Sequence, residues 1–253
     1  MLLRIYVKRC LIKSMRTLLL SKFITTLRQY LIGRGFFEQH LCSTTDYKII
    51  ATDTFSLKGD LHLRFNPEPD IWQVGLKHDY FFWIGSLFRN EKRIDALHKY
   101  EFTVIDTYLP HGKTVDVVLF FKKMLRRLER KFLLKKLSSI PFKYVTHADF
   151  NTSKRFAESP TWYVVTDYPI HESFYDTKTK YATKKFEIFF CDKRSIIEVV
   201  ACGELGDNAN PEMFVKKISS KIPAKIRRKR FIGFGIGLER LISIYQNKAI
   251  RVK

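Results

Sequence analysis

The sequence predicts one α+β domain, on three observations. Two stretches read as strand, turn, strand: Tyr80–Phe88 with Glu101–Ile105, and Phe186–Phe190 with Ile196–Ala201. Two others, Met15–Leu31 and Thr114–Leu137, carry apolar residues at helical spacing. The 253 residues, 45% of them hydrophobic, suffice for one large core, and no internal repeat or low-complexity linker divides them.

Taken in order, the first helix has Leu20, Phe23, Ile24, Leu27 and Leu31 on one face and ends at Gly33 and Gly35. Phe36-Phe37-Glu38 starts a strand. Leu61–Phe65 alternates as a second, and Asn66-Pro67-Glu68-Pro69 forces an exit from it. Ile71–Lys77 reads as a short helix. The aromatic strand Tyr80–Phe88 then runs into Arg89-Asn90-Glu91, with Arg89 and Glu91 two residues apart on one face of an extended chain. A polar, basic loop, Lys92–Lys99, leads to the return strand. The second helix has an apolar side (Val118, Phe121, Leu125, Leu128) and a basic one (Lys123, Arg126, Arg127, Arg130, Lys131). That basic side reads equally as a contact for RNA phosphates or as a solvated outer face. Ser138–Ser159 reads as irregular, with a short helix near Asn151–Ala157. Trp162–Pro169 is a strand ending in a turn.

In the second hairpin, Asp192-Lys193 as a two-residue turn sets Ile188 opposite Ile197 and Glu187 opposite Glu198. Facing carboxylates repel, and a divalent cation between them removes the penalty. The other reading is a different turn register, with one Glu facing solvent; Asp-Lys is not a strong hairpin dipeptide. Lys216–Arg230 is a basic run, and the glycine-rich Gly233–Gly237 leads into a last helix with Arg240 in its first turn.

The net charge of +21 and pI near 9.8 favour a polyanionic partner, RNA or nucleotide; a Lys-rich surface from compositional bias is the alternative. Cys10, Cys42, Cys191 and Cys202 show neither zinc-ligand nor disulfide-framework spacing, which suits a reducing compartment. Arg4, Lys8, Arg9 and Lys13 interrupt the apolar N-terminus too often for a signal peptide or a membrane span. A cytoplasmic protein with no membrane partner is the expectation.

Phe88-Arg89-Asn90-Glu91, the loop, and His98-x-x-Glu101-Phe102-Thr103 resemble motif 2 of the class II aminoacyl-tRNA synthetases, closest to the aspartate/asparagine/lysine subgroup. Gly233-Phe234-Gly235-Ile236-Gly237-Leu238-Glu239-Arg240-Leu241 resembles motif 3 of the same family. The first helix followed by Gly35-Phe36-Phe37-Glu38 resembles motif 1, the family's dimer interface, with Cys42 near its usual proline; a homodimer through residues 15–42 is implied. The resemblance covers about Met15 to Gln246 and leaves no room for the anticodon-binding barrel of that subgroup.

The resemblance implies a mixed, mainly antiparallel sheet of six to seven strands flanked by helices, with ATP bent on its face. It implies attack of an amino-acid carboxylate on the α-phosphorus of ATP, giving an aminoacyl-adenylate. Arg89 would stabilise charge on the α-phosphoryl group. Arg240 would bind the γ-phosphate and stack on adenine, with Phe102 on the other face. Glu91 and His98 would contact adenine and the outer phosphates, and Gly237 the nucleotide. Glu187 and Glu198 would hold Mg²⁺. Glu68 and Glu204 would face the amino acid. Two departures stand out: Leu205 lies where the Asp/Asn members have an arginine, and Ile71-Trp72 where aspartate-specific members have a lysine. Aspartate is therefore a poor substrate, because an acidic side chain would be buried without its cation. Gly203-Glu204-Leu205-Gly206-Asp207 is similar to a carboxylate-supplying stretch of the lysine branch. The acceptor is tRNA, a protein or carrier, or a small amine; a non-catalytic RNA-binding or regulatory paralogue is the reading from another class.

Overall fold

The computed structural model describes residues 2–46, 54–67, 70–71, 78–90, 92, 94, 98–152, 157–169, 185–205 and 231–246. Helix α1 (Leu2–Ile32) is followed by β1 (Phe37–Glu38), β2 (Thr44–Thr45), β3 (His62–Leu63), β4 (Phe81–Phe88) and β5 (Glu101–Pro110). Then come α2 (Thr114–Phe132), β6 (Phe142–Thr146), α3 (His147–Thr152), β7 (Thr161–Thr166), β8 (Phe186–Cys191), β9 (Ile196–Leu205), β10 (Phe231–Gly237) and α4 (Leu238–Tyr245).

Eight strands form one sheet in the order β1-β4-β5-β10-β9-β8-β7-β6, and β2 pairs with β3 apart from it. The centre is antiparallel; both edges, β1 on β4 and β6 on β7, are parallel. Six to seven strands were expected. The eighth is β6, in a stretch whose sequence reads as irregular. Its residues are half-exposed or exposed, as an edge strand allows, so they lack the apolar alternation of a buried one.

Alternation explains the two faces. Phe82, Ile105, Ile188, Val200, Ile232, Phe234 and Ile236 point to the helices and meet Phe23, Leu27 and Leu31 of α1, Phe121, Leu125 and Leu128 of α2, and Leu241 and Ile242 of α4. Trp162 is fully buried there, its indole N–H donating to the Leu137 carbonyl at 2.9 Å.

Helix α1 begins well before Met15 and ends where expected, with Gly35 at φ +81° turning the chain into β1. Helix α2 begins with the Lys113 N–H donating to Asp116 at 2.8 Å, and it stops at Phe132, short of Leu137. Leu133 takes a left-handed conformation (φ 52°), and Leu134 N–H bonds back to Glu129 O. The buried Glu129 carboxylate holds that reversal, accepting from Ser138 N–H at 2.7 Å and Ser138 Oγ–H at 2.5 Å. The short helix expected near Asn151–Ala157 is α3, earlier in the chain. Of the helix expected at Ile71–Lys77 only its start is described, and the basic run Lys216–Arg230 lies outside the described residues.

The β8–β9 register differs from the two-residue-turn expectation. Asp192 through Ser195 all form the turn: Asp192 Oδ1 accepts from the N–H groups of Arg194 and Ser195, each at 2.8 Å, and from Ser195 Oγ–H. Cys191 pairs with Ile196 and Phe189 with Glu198. A bulge then intervenes, after which Ile188 pairs with Val200 and Glu187 with Ala201. Glu187 is thus not opposite Glu198. The two nevertheless share a face, since Glu187 and Phe189 alternate together and carry their partners with them.

Candidate active site

The face of the sheet turned away from the helices is lined by small residues at its middle. Gly233, Gly235 and Gly237 of β10 lie between Phe102, Val104 and Asp106 of β5 and Ala201 and Gly203 of β9, flooring a cavity of about 130 Å³. Bare backbone is required: a Cβ on Gly233 would meet Tyr108 Cε1 at 2.7 Å, and one on Gly235 would meet Val104 Cγ1 at 3.3 Å.

Cations stand at one side of this cavity. Arg89 follows β4, where its N–H donates to Tyr100 O at 2.9 Å and closes the strand-loop-strand unit. Its guanidinium lies between two rings, 4.9 Å from Phe65 and 5.0 Å from Phe102. Arg240, in the first turn of α4, reaches back to β9, 3.2 Å from Glu198 O and 3.3 Å from its carboxylate. Lys99 completes the basic side. Glu239 fixes α4 to β5: its carboxylate accepts the Thr103 N–H and the Thr103 hydroxyl, all at 3.0 Å.

Carboxylates share this cavity: Glu198 beside Arg240, Glu239, and Asp106. Asp106 lines the cavity at 7% exposure, and burial pushes its pKa up to about 7. Glu187 is raised by burial and then by the charge of Glu198; the Tyr168 hydroxyl at 2.6 Å and Lys185 Nζ at 3.0 Å oppose this. Burial and the charges of Glu187, Asp106 and Glu198 hold the Cys202 thiol well above its usual range, so it carries no thiolate chemistry at neutral pH. Among the described residues no group of three metal-ligating side chains exists. Two carboxylates on one face, one disfavoured by the other's charge, still fit a Mg²⁺ ion, which keeps several waters and takes phosphate oxygens as further ligands.

Of the residues singled out in the sequence, Arg89, Phe102, Glu198, Gly237 and Arg240 line this one cavity. Phe102 presents a ring face to Arg89. Glu187 lies beside the cavity and not in its wall, and among its lining residues Lys99 stands where His98 was expected. Glu68 and Glu91 lie outside the described residues; Glu204 pairs with Ile232, and its side chain lies outside them too. Asp106 and Phe65 were not foreseen. Asp106 shares the parity of Phe102 and Val104, and an acid in the apolar strand Val104-Ile105-Asp106 was the available signal.

No family model matches the sequence, and no curated protein is similar to it in sequence. Solved structures are similar in three dimensions. Entamoeba histolytica asparaginyl-tRNA synthetase superposes with a TM-score of 0.74 at 16% identity, over 98% of this chain and 68% of that one. The Pyrococcus horikoshii asparaginyl-tRNA synthetase complexed with asparaginyl-adenylate gives 0.72 at 16% identity, over 94% and 67%. The Entamoeba enzyme in complex with asparaginyl-adenylate gives 0.70 at 14%, over 94% and 65%. The fold is that of a class II synthetase catalytic core. In that core β4 and β5 carry the stretch resembling motif 2, β10 and α4 the stretch resembling motif 3, and their pairing through β5–β10 brings Arg89 and Arg240 to one cavity.

Proposed function

We propose that this chain activates an amino acid with ATP, forming an aminoacyl-adenylate and pyrophosphate, and transfers the aminoacyl group to an acceptor, tRNA by preference. One observation carries the reading: a single cavity over a glycine floor brings together two guanidiniums and the carboxylates of Asp106, Glu198 and Glu239. Arg89 and Arg240 suit the phosphates of ATP, and the acidic side suits an ammonium. The substrate carboxylate is already ionised at neutral pH, so no general base is required. Arg89 stabilises the charge that builds on the α-phosphoryl oxygens. Mg²⁺ held by Glu187 and Glu198 would neutralise phosphate charge. Asp106 favours a substrate with a neutral or cationic side chain: a second carboxylate beside it would be repelled in a site already short of cations on that side. Leu18, Lys22, Thr25, Gln29 and Ile32 form an exposed strip on α1 that offers itself to a second copy.

Amino-acid-dependent ATP–pyrophosphate exchange with the twenty standard amino acids tests this. Exchange with one of them is expected, and Arg89→Ala should lower it by roughly 10²–10³, the scale for losing one preorganised donor of charge stabilisation. Wild-type-like exchange in Arg89→Ala refutes the assignment of roles. ATP binding without exchange would point to a non-standard amino acid or a required partner; failure to bind ATP would favour the regulatory reading.

A further inference from the structure

The outward side of α2 carries charge of one sign. Between Val117 and Ser139 the only carboxylate is Glu129, and it is buried, accepting from Ser138 and from the Tyr245 hydroxyl. Lys123, Arg126, Arg127, Arg130 and Lys131 are all exposed. Like charges three and four residues apart on a helix destabilise it slightly, so this side gains nothing for the fold. With a rise of 1.5 Å per residue, Lys123, Arg127 and Lys131 follow one another at about 6 Å intervals on a rigid rod.

The strip extends onto α1. Tyr30 packs on Phe120 of α2, ring centroids 5.9 Å apart, and the Arg34 guanidinium carbon lies 4.8 Å above the Tyr30 ring. Burial raises the Tyr30 pKa against the opposing charges of Arg34, Arg127 and Arg130, which places three guanidiniums about one phenol. This is a concentrated arginine cluster, on the helix side of the sheet and therefore opposite the cavity.

The chemistry selects among polyanions. Most apolar residues of α2 (Val117, Val118, Phe121, Met124, Leu125, Leu128) are buried in the core; the exposed ones, Val115 and Leu119, stand in its first turns, too few to make a face that inserts into a lipid surface. The strip shows no exposed aromatic ring on which unpaired bases would stack. What remains is a backbone of regularly spaced phosphates, which arginine grips in bidentate fashion. We propose that Arg34, Arg127 and Arg130, continued by Lys123, Arg126 and Lys131, form a binding surface for the phosphate backbone of double-helical RNA. The charge pattern stands independently of adenylate chemistry; the choice of RNA over DNA rests on the acceptor proposed above.

Fluorescence anisotropy on the full chain tests it, with a labelled RNA hairpin, a DNA hairpin of the same sequence, and anionic phospholipid vesicles as competitor, at several salt concentrations. The triple variant Arg34→Gln/Arg127→Gln/Arg130→Gln is compared with Lys58→Gln/Lys193→Gln/Arg194→Gln, which removes the same charge from exposed turns elsewhere. The first triple should weaken RNA binding about tenfold to a hundredfold and reduce the salt slope by about two to three; the second should stay within about threefold of wild type. Equal losses in both triples, no loss in the first, equal binding of DNA, or displacement of RNA by vesicles would each overturn the proposal. Pyrophosphate exchange should be unchanged in the first triple. Absence of exchange in the wild type, with RNA binding intact, would count against the adenylate reading alone.

Discussion

Asp106→Asn tests the acidic side of the cavity through stability as well as activity. The Asp106 carboxyl has its pKa raised from 3.8 to about 7 by burial. Between those values the folded chain holds a proton that the unfolded chain has released. Stability from this group is therefore present below pH 4 and lost as pH rises through 7. A shift of about three units corresponds to at most about 4 kcal/mol at 1.36 kcal/mol per unit. Asparagine keeps the shape and cannot ionise. The variant should match wild type near pH 4 and exceed it by about 2–4 kcal/mol at pH 8 in urea unfolding without ligand. Glu187, whose pKa is also raised, is present in both proteins and cancels in the comparison. The same variant should lose amino-acid-dependent exchange, since the charge that disfavours the empty fold is the one offered to the substrate. A stability gap of equal size at pH 4 and pH 8, or one favouring wild type at pH 8, would refute a buried, ionising Asp106.

Three further outcomes follow from the geometry. Glu239→Ala strands the Thr103 N–H and hydroxyl; unfolding should show a loss of about 1–3 kcal/mol, and exchange should fall because Arg240 is next to it on the same turn. Gly85→Ala would bring a Cβ to 2.2 Å from Trp83 Cζ2, so the indole must swing away; thermal unfolding should show a cost of about 1–3 kcal/mol and near-ultraviolet circular dichroism an altered tryptophan signal. Glu129→Ala removes the acceptor for Ser138 and Tyr245, and a loss of about 2–4 kcal/mol is expected, with the end of α2 exchanging amide hydrogens faster.

Much of this molecule was legible in its sequence because local pattern and burial agree there. Phe231–Gly237 is apolar throughout and Phe81–Phe88 all but Ser86, and both form strands within the sheet; α2 repeats apolar residues at helical spacing and packs on the sheet. Legibility failed where long-range contacts decide. β6 exists because β7 is there to pair with it; its strand-forming residues Phe142, Tyr144, Val145 and Thr146 lack the in-and-out alternation that marks a buried strand. Helix α2 ends early because a buried carboxylate recaptures the chain nine residues on. In the site, the two arginines were visible through their surroundings in sequence, whereas Asp106 depends on strand parity and on the glycines of a strand more than a hundred residues away.

The bulge opposite Ile188 and Phe189 has a consequence for how this chain tolerates change. Glu198 is even-numbered; Ala201 and Gly203 are odd-numbered. In an unbroken strand they would fall on opposite faces, and the chain could present either the acid or the small residues to the cavity. One uncounted residue, Val199, lets it present both. Between Glu198 and Ala201 the chain thus has one residue more than plain alternation needs. Removing Val199 would take the bulge away and leave Glu198, Ala201 and Gly203 in plain alternation on the cavity face, with Val200 and Cys202 still in the core; removing Ala201 instead would bring Val200 or Cys202 to the cavity floor and fill it with bulk. A sequence that keeps the cavity can therefore lose the bulge residue but not a floor residue, even where most other likeness to this chain has gone.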